Sequence, residues 1–212
     1  MASHGQILRK VKKILSQIES DQNQKIPVLC LTGKMAGGKN FVSSVFEECG
    51  CIAIDFDKEV HAVIEEHSLQ IAQVFEPEAK ARGIELFLPD GKLNRRAIGQ
   101  LVFSDPVLLA RQENIVFPAL TESIQKKIIY IEENNPNIPA IIFNATVLYK
   151  TPDLLQLCTK IIFVKAGVLK RFFRAKKRDH LSTKRILDRF AVQRSLLREY
   201  QKSGKQIVFI KN

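Results

Sequence analysis

Five short apolar runs stand out along the chain: KIPVLCLT (residues 25–32), CIAI (51–54), IPAIIFNAT (138–146), KIIFVKA (160–166) and KQIVFI (205–210). Each is nearly continuous rather than alternating, as expected of a strand covered on both faces. Between them the period changes. Ile7, Val11, Ile14, Leu15 and Ile18 recur at helical spacing, with Arg9, Lys10, Lys12 and Lys13 between them. This predicts an amphipathic helix over residues 6–19, and SDQNQ then reads as a loop. NFVSSVFEEC predicts a helix starting near Asn40 and ended by Gly50. From DFDKEV to about Ile131 the pattern is helical, punctuated by Pro77, the LPDGKL turn and SDP. Strands alternating with helices predict a three-layer αβα fold around a five-stranded parallel sheet. The long insertion between the second and third strands predicts a separate helical lobe at the sheet's C-terminal edge, where ligands of such sheets bind.

Composition narrows this little: 212 residues, 45% apolar and 26% charged, suit one sizeable core with a smaller lobe. The longest apolar stretches, AIIF and KIIFVKAGVL, fall far short of a membrane span, and the polar, amphipathic N-terminal stretch is not the pattern expected of a signal peptide. Cys30, Cys49, Cys51 and Cys158 show no metal-ligand spacing. The apolar surroundings of Cys30 and Cys158 predict reduced core thiols and a cytoplasmic protein without a membrane partner.

Charge changes the picture more. Thirty-three Lys and Arg against 22 Asp and Glu give a formal +11, concentrated in RKVKK and in LKRFFRAKKRDHLSTKRILDR. That suits a polyanionic ligand: nucleic acid, an anionic membrane surface or a phosphorylated small molecule.

GKMAGGKN, residues 33–40, selects among these. It meets the phosphate-loop pattern at Gly33, Gly38 and Lys39, between a predicted strand and a predicted helix, but Asn40 stands where Ser or Thr is usual. Glycines let consecutive N–H groups turn around phosphate oxygens, and the helix N-terminus adds positive potential. The alternative is a Gly-rich turn that binds nothing. Asp55, at the predicted end of the second strand, has the chemistry to orient an acceptor hydroxyl and take its proton. Asp57 is either its helper or the N-cap of KEVHAVIEE. Two readings also exist for Lys170, Arg171, Arg174, Lys176, Lys177, Arg178, Lys184, Arg185 and Arg189: a solvated helix face, or a lid laying cations on phosphates. Phe172 and Phe173 are expected to anchor that lid to the core.

Together these residues resemble the dephospho-CoA kinase family, a member of the P-loop kinases. The resemblance runs from about Val28 to the C-terminus. It rests on the loop, on Asp55-Phe56-Asp57, and on DGKLNRRAIGQLVFSDPVLLARQENIVFPAL with Asp90, Gly91, Arg95, Ile98, Gly99, Val102, Phe103, Asp105, Pro106, Glu113 and Pro118. RFFRAKKRDHLS and RFAVQ, with Arg178, Asp179, Arg189 and Gln193, resemble the family's lid.

The resemblance implies transfer of the ATP γ-phosphoryl group to the ribose 3′-hydroxyl of dephospho-CoA, with Mg²⁺. It implies catalytic roles for Asp55, Lys39 and Arg178. ATP contacts would come from Gly33, Lys34, Met35, Ala36, Gly37, Gly38, Lys39, Asn40, Phe41 and Arg178. Substrate contacts would come from Asp55, Asp57, His61, Arg95 and Phe117, and Asn40 is the candidate metal ligand. It divides the chain into an extra N-terminal helix (1–24) and one kinase domain (25–212), with a core of 25–56, 132–165 and 196–212, a substrate lobe at 57–131 and a lid at 166–195.

Four departures are visible. Asn40 replaces a hydroxyl, Phe117 replaces a common His, and Asn144 replaces a position that is often acidic. The chain stops at Asn212 where relatives usually continue, so part of an adenine pocket wall is expected to be missing. The competing reading is a degenerate kinase scaffold that binds nucleotide or nucleic acid with little catalysis. The retained Lys39, Asp55, Arg95 and Arg178 count against it, so nucleic acid is not the expected partner. Oligomeric state is not legible in the sequence.

Overall fold

A computed structural model of the chain describes residues 2–18, 26–179 and 182–212, with Asp179 described by its backbone alone. The expected loop at residues 20–24, and His180 and Leu181 of the expected lid, lie outside the described residues. Five parallel strands, β1 (Val28–Gly33), β2 (Ile52–Asp55), β3 (Ile141–Asn144), β4 (Cys158–Lys165) and β5 (Ile207–Lys211), form one sheet in the order β2-β3-β1-β4-β5. All six residues of β1 are buried, as its unbroken apolar run requires of a central strand. The three-layer α/β fold expected from the alternation is therefore present.

Contacts divide the chain into two compact units: Met1–Phe56 with Ile128–Asn212, and Asp57–Lys127. In the first, helix α1 (His4–Leu15) begins two residues earlier than its apolar spacing predicts, because Ser3 and Gln6 close a reciprocal capping box. Its Ile7, Val11 and Ile14 join one buried cluster with Val42, Val45 and Phe46 of α2 (Lys39–Glu48) and Leu29, Leu31, Ile142, Ile162 and Ile210 of the sheet. The leading helix is thus part of the core. Ile7→Ala is expected to lower unfolding free energy by about 2–5 kcal/mol, the range for emptying a buried branched site. Urea denaturation reads this, and an unmoved midpoint would show α1 to be dispensable.

The second unit is built from α3 (Phe56–Glu66), α4 (Ser68–Ala81), α5 (Arg95–Phe103) and most of α6 (Pro106–Asn134). Ile71, Phe75, Ile98, Leu101, Val102, Leu120 and Ile124 are buried within it. Arg111 ties α6 to α4 through Glu78 and the Val74 carbonyl. The LPDGKL turn folds back tightly, with a single antiparallel bridge from Phe87 to Leu93. Pro77 does not punctuate the chain as expected. α4 runs through it, held by buried Phe75 and Ala79 on either side, so packing outweighs one lost backbone hydrogen bond. In SDP, by contrast, Pro106 opens α6, where a missing N–H costs nothing.

Candidate active site

The loop leaving β1 is shaped by two close approaches. A Cβ on Gly33 would sit 2.7 Å from the Val164 carbonyl oxygen of β4, so only glycine lets β1 run this close to its neighbour. Ala36 and Gly38 have φ of 56° and 95°, and Gly37 N donates to the Lys34 carbonyl at 2.9 Å. This αL-containing turn brings successive N–H groups to one side. α2 then starts at Lys39, one residue before the expected start. Its N-cap is Gly38, without a capping side chain, which leaves first-turn N–H groups for another acceptor. Lys39 Nζ donates to Thr146 Oγ1 at 2.6 Å.

The loop backbone, meanwhile, is held by α8 (Val168–Asp179), which follows the short helix α7 (Pro152–Gln156) and β4, and by the residues after α9 (Thr183–Val192). Arg171 Nε donates to the Met35 carbonyl at 2.9 Å, and Gln193 Oε1 accepts from Met35 N at 2.6 Å. Arg174 Nη1 reaches the Ala36 and Gly37 carbonyls, both at 3.4 Å, and Lys34 Nζ reaches the Arg194 carbonyl at 3.4 Å. From the end of β5, Asn212 Nδ2 donates to the Gly37 carbonyl at 3.1 Å. Arg171 is 5% exposed and lies over the Phe190 ring at 4.1 Å; burial lowers its pKa from the ordinary value. Burial, and then the Arg171 charge, lower that of Lys34. Only the smaller part of the Lys34 shift is repulsion between like charges, which an anion beside the pair would relieve.

Arg171, Arg174 and Arg178 follow i, i+3, i+7 spacing on α8, so Arg178 lies on the face that holds the loop, at its exposed last turn. The solvated-face reading is therefore corrected for Arg171 and Arg174. So is the expected anchor: Phe173 is 66% exposed and stacks edge-on against Phe172, while Arg171 and Ala175 are the buried contacts of α8. The reason is helical phase, since position 173 lies on the face opposite 171 and 175.

At the C-terminal ends of β2, β3 and β1, Asp55 stands in register with Asn144, and Asn144 with Leu31. Asn144 is 7% exposed and its Nδ2 donates to Asn40 Oδ1, in the first turn of α2, at 3.2 Å. The two departures at Asn40 and Asn144 are thus one hydrogen-bonded pair. Asn144 Oδ1 is buried without a hydrogen-bond partner. An orphaned oxygen beside a second amide oxygen, at a phosphate loop, suits a hard cation or a water in its shell. The residues present therefore fit Mg²⁺, with neutral donors only. Behind them, Thr32 Oγ1 and Tyr200 OH both donate to the Thr146 carbonyl at 3.1 Å, and Leu148 N donates to Tyr200 OH at 3.0 Å. Tyr200 belongs to no motif, and Thr146 stands in the sequence only as part of the Asn144–Leu148 stretch that resembles the family's third-strand end, with no role of its own. The α8 arginine spacing was the legible signal for Arg171 and Arg174.

Asp57, His61, Arg95 and Phe117 all fall in the second unit. Asp57 and His61 are exposed on α3, Arg95 is exposed at the first turn of α5, and Phe117 is half-buried on α6. Asp57 is not an N-cap: α3 opens at Phe56, so the carboxylate lies within the first turn and favours the helix through its dipole. Phe41 is half-buried in α2 beside the core cluster. All four cysteines are free thiols, Cys30 and Cys158 fully buried as expected, with burial pushing the Cys51 thiol up to about 12. Among the described residues no cluster of three or more metal-ligating His, Cys, Asp or Glu side chains exists.

Comparison with known proteins agrees with this geometry. Residues 27–211 match the family model described as dephospho-CoA kinase. The dephospho-CoA kinase of Treponema pallidum is 34% identical over 168 residues, covering 79% of this chain and 78% of that protein. That of Treponema denticola is 34% identical over 187 residues, covering 88% and 82%. Among solved structures, a Thermus thermophilus protein superposes with a TM-score of 0.72 at 21% identity, covering 88% of each chain. The Campylobacter jejuni dephospho-CoA kinase gives 0.63 at 21% identity, covering 87% and 88%, and these two establish likeness of fold. The family match over most of its length, together with the two relatives at 34% identity, makes this chain a member of the dephospho-CoA kinase family.

Proposed function

We propose that this chain phosphorylates the ribose 3′-hydroxyl of dephospho-CoA with ATP, using Asp55 as the proton acceptor. The observation that carries the reading is the register of Asp55 with Asn144, which puts a carboxylate one strand away from the amide pair at the start of α2. The 3′-oxygen forms a bond to the γ-phosphorus as the bond to the β–γ bridging oxygen breaks. The hydroxyl proton passes to Asp55, and ADP leaves. Loop N–H groups and Lys39 bind the β- and γ-phosphates, and Arg178 neutralises charge spreading over the transferred group. Asp57, His61, Arg95 and Phe117 are assigned to the acceptor by family resemblance. Asn40 and Asn144 would hold Mg²⁺, which when bound supplies further charge neutralisation at the phosphates. Among the described residues no helix is long and apolar enough to cross a membrane, and reduced thiols support a cytoplasmic location. ADP release with Mg-ATP should depend on added dephospho-CoA; ADP release indifferent to the acceptor would remove the proposal.

The amide pair makes a second prediction. Asn40→Thr alone strands the buried Asn144 Nδ2, and Asn144→Asp alone sets a carboxylate against the Asn40 oxygen. Each single variant should weaken Mn²⁺ binding, measured by electron paramagnetic resonance in the presence of AMP-PNP, whereas the double variant should bind it more tightly than the parent. A coupling of about 0.5–3 kcal/mol is expected for residues in direct contact. Additive effects would show that the two amides do not act as a unit.

A further inference from the structure

Lys39 meets the end of β3 as well as the loop, all within the first unit. Its Nζ donates to Thr146 Oγ1 at 2.6 Å, and Thr146 stands two residues beyond Asn144, where β3 ends. An ammonium has no acceptor, so the threonine oxygen accepts in this bond and its single proton is turned away from the lysine. An oxygen that accepts from a cation is polarised, which makes its own O–H a better donor. The threonine is also held from behind. Its carbonyl accepts from Thr32 Oγ1 and from Tyr200 OH, both at 3.1 Å, and Leu148 N donates to that phenol oxygen at 3.0 Å. Tyr200, in α10 (Leu196–Gln201), is fully buried, and burial raises its pKa, so the phenol remains a donor. Two donors on one carbonyl fix the backbone from which the hydroxyl projects.

Sheet order decides which end of a triphosphate this hydroxyl serves. β3 lies between β1, which carries the loop, and β2, which ends in Asp55. Thr146 therefore follows the strand on the Asp55 side of the loop, where the transferred group meets its acceptor in the proposed reaction. We propose that Thr146 is a further residue of the phosphoryl-transfer site, its hydroxyl accepting from Lys39 and donating to a γ-phosphate oxygen, so that lysine and threonine engage one group together. This rests on the kinase reading and adds to it a residue outside the phosphate loop. Thr146 is a positioning residue for Lys39 and a neutral donor to the transferred group. It forms no covalent bond and gives up no proton. Thr32 and Tyr200 act through it, by holding its carbonyl.

The test is calorimetric titration of the full chain with AMP-PNP and, separately, with ADP, both with Mg²⁺. Thr146→Val keeps the shape of the side chain and removes the hydroxyl at a half-buried position. It is expected to weaken AMP-PNP binding about tenfold or more, as loss of a hydrogen bond to a charged group requires, and ADP binding by less than about threefold, since ADP has no γ-phosphate. Thr146→Ser, which restores the hydroxyl, is expected to return AMP-PNP affinity close to that of the wild type. Equal weakening of both nucleotides in Thr146→Val overturns the proposal and makes the hydroxyl a prop for the loop. Unchanged AMP-PNP affinity overturns it too, leaving Thr146 as a resting place for Lys39 in the empty site. So does a Thr146→Ser chain as weak as Thr146→Val. Failure of the kinase reading looks different: the wild type then shows the same Val and Ser contrast but no acceptor-dependent ADP release. A wild type that binds neither nucleotide removes both.

Discussion

Asp55→Ala is expected to lower kcat by about 10²- to 10⁴-fold, the contribution typical of a positioned general base, with AMP-PNP affinity nearly unchanged. The reason is positional. Asp55 closes β2 at the strand end, in register with Asn144, and in the proposed mechanism it acts on the acceptor hydroxyl rather than on the phosphates assigned to the loop. Asp55→Asn should lose turnover to a similar extent, since the amide keeps size and polarity but cannot take a proton. Steady-state ADP release alongside calorimetric titration of AMP-PNP separates the two effects. If turnover and nucleotide affinity collapse together, Asp55 is holding the loop or its metal, and the base must be sought elsewhere.

Gly38→Ala should be nearly as damaging, through binding rather than chemistry. The new Cβ would lie 1.9 Å from Asn212 Nδ2 and 3.1 Å from its Cγ, at a backbone φ of 95°. Asn212 cannot swing away freely, being 3% exposed and hydrogen-bonded to Gly37. Backbone strain alone costs about 1–3 kcal/mol, and displacement of the loop adds to it. AMP-PNP affinity is expected to fall by at least about tenfold, equivalent to 1.4 kcal/mol. Gly38→Ala/Asn212→Gly should recover part of that loss, because it removes the collision and leaves the strained φ. Unaltered AMP-PNP affinity in Gly38→Ala would mean that phosphates do not lie in this loop.

These two residues show how legibility divides. Asp55 and the loop were readable because their chemistry is local: a strand end, a glycine-rich turn and a lysine in register need only short stretches of chain. Asn212 was visible only as the place where the chain stops. Its hold on Gly37 joins residues 175 positions apart. Arg171 and Arg174 stand in the basic run as a solvated face or a lid over phosphates, since charge counting cannot tell a buried guanidinium on a carbonyl from a solvated one. Phe173 was misread for the complementary reason: aromatic character suggests burial, but the phase of α8 points it outward. Asn40 and Asn144 read as two losses from one function, metal handling; that they touch, at 3.2 Å, is decided only by the packing of α2 on the sheet.

What the chain's own text determined is the strand–helix alternation, the phosphate loop and the family, because apolar runs, period and glycine placement are properties of neighbouring residues. What only the tertiary structure decided is the support around that loop: the arginines of α8, Gln193, Thr146, Asn212, and the seating of α1 in the core. Those contacts bridge long sequence separations, and no local pattern selects one partner from many polar side chains. Burial selects it, by leaving each carbonyl and cation only one or two groups within reach.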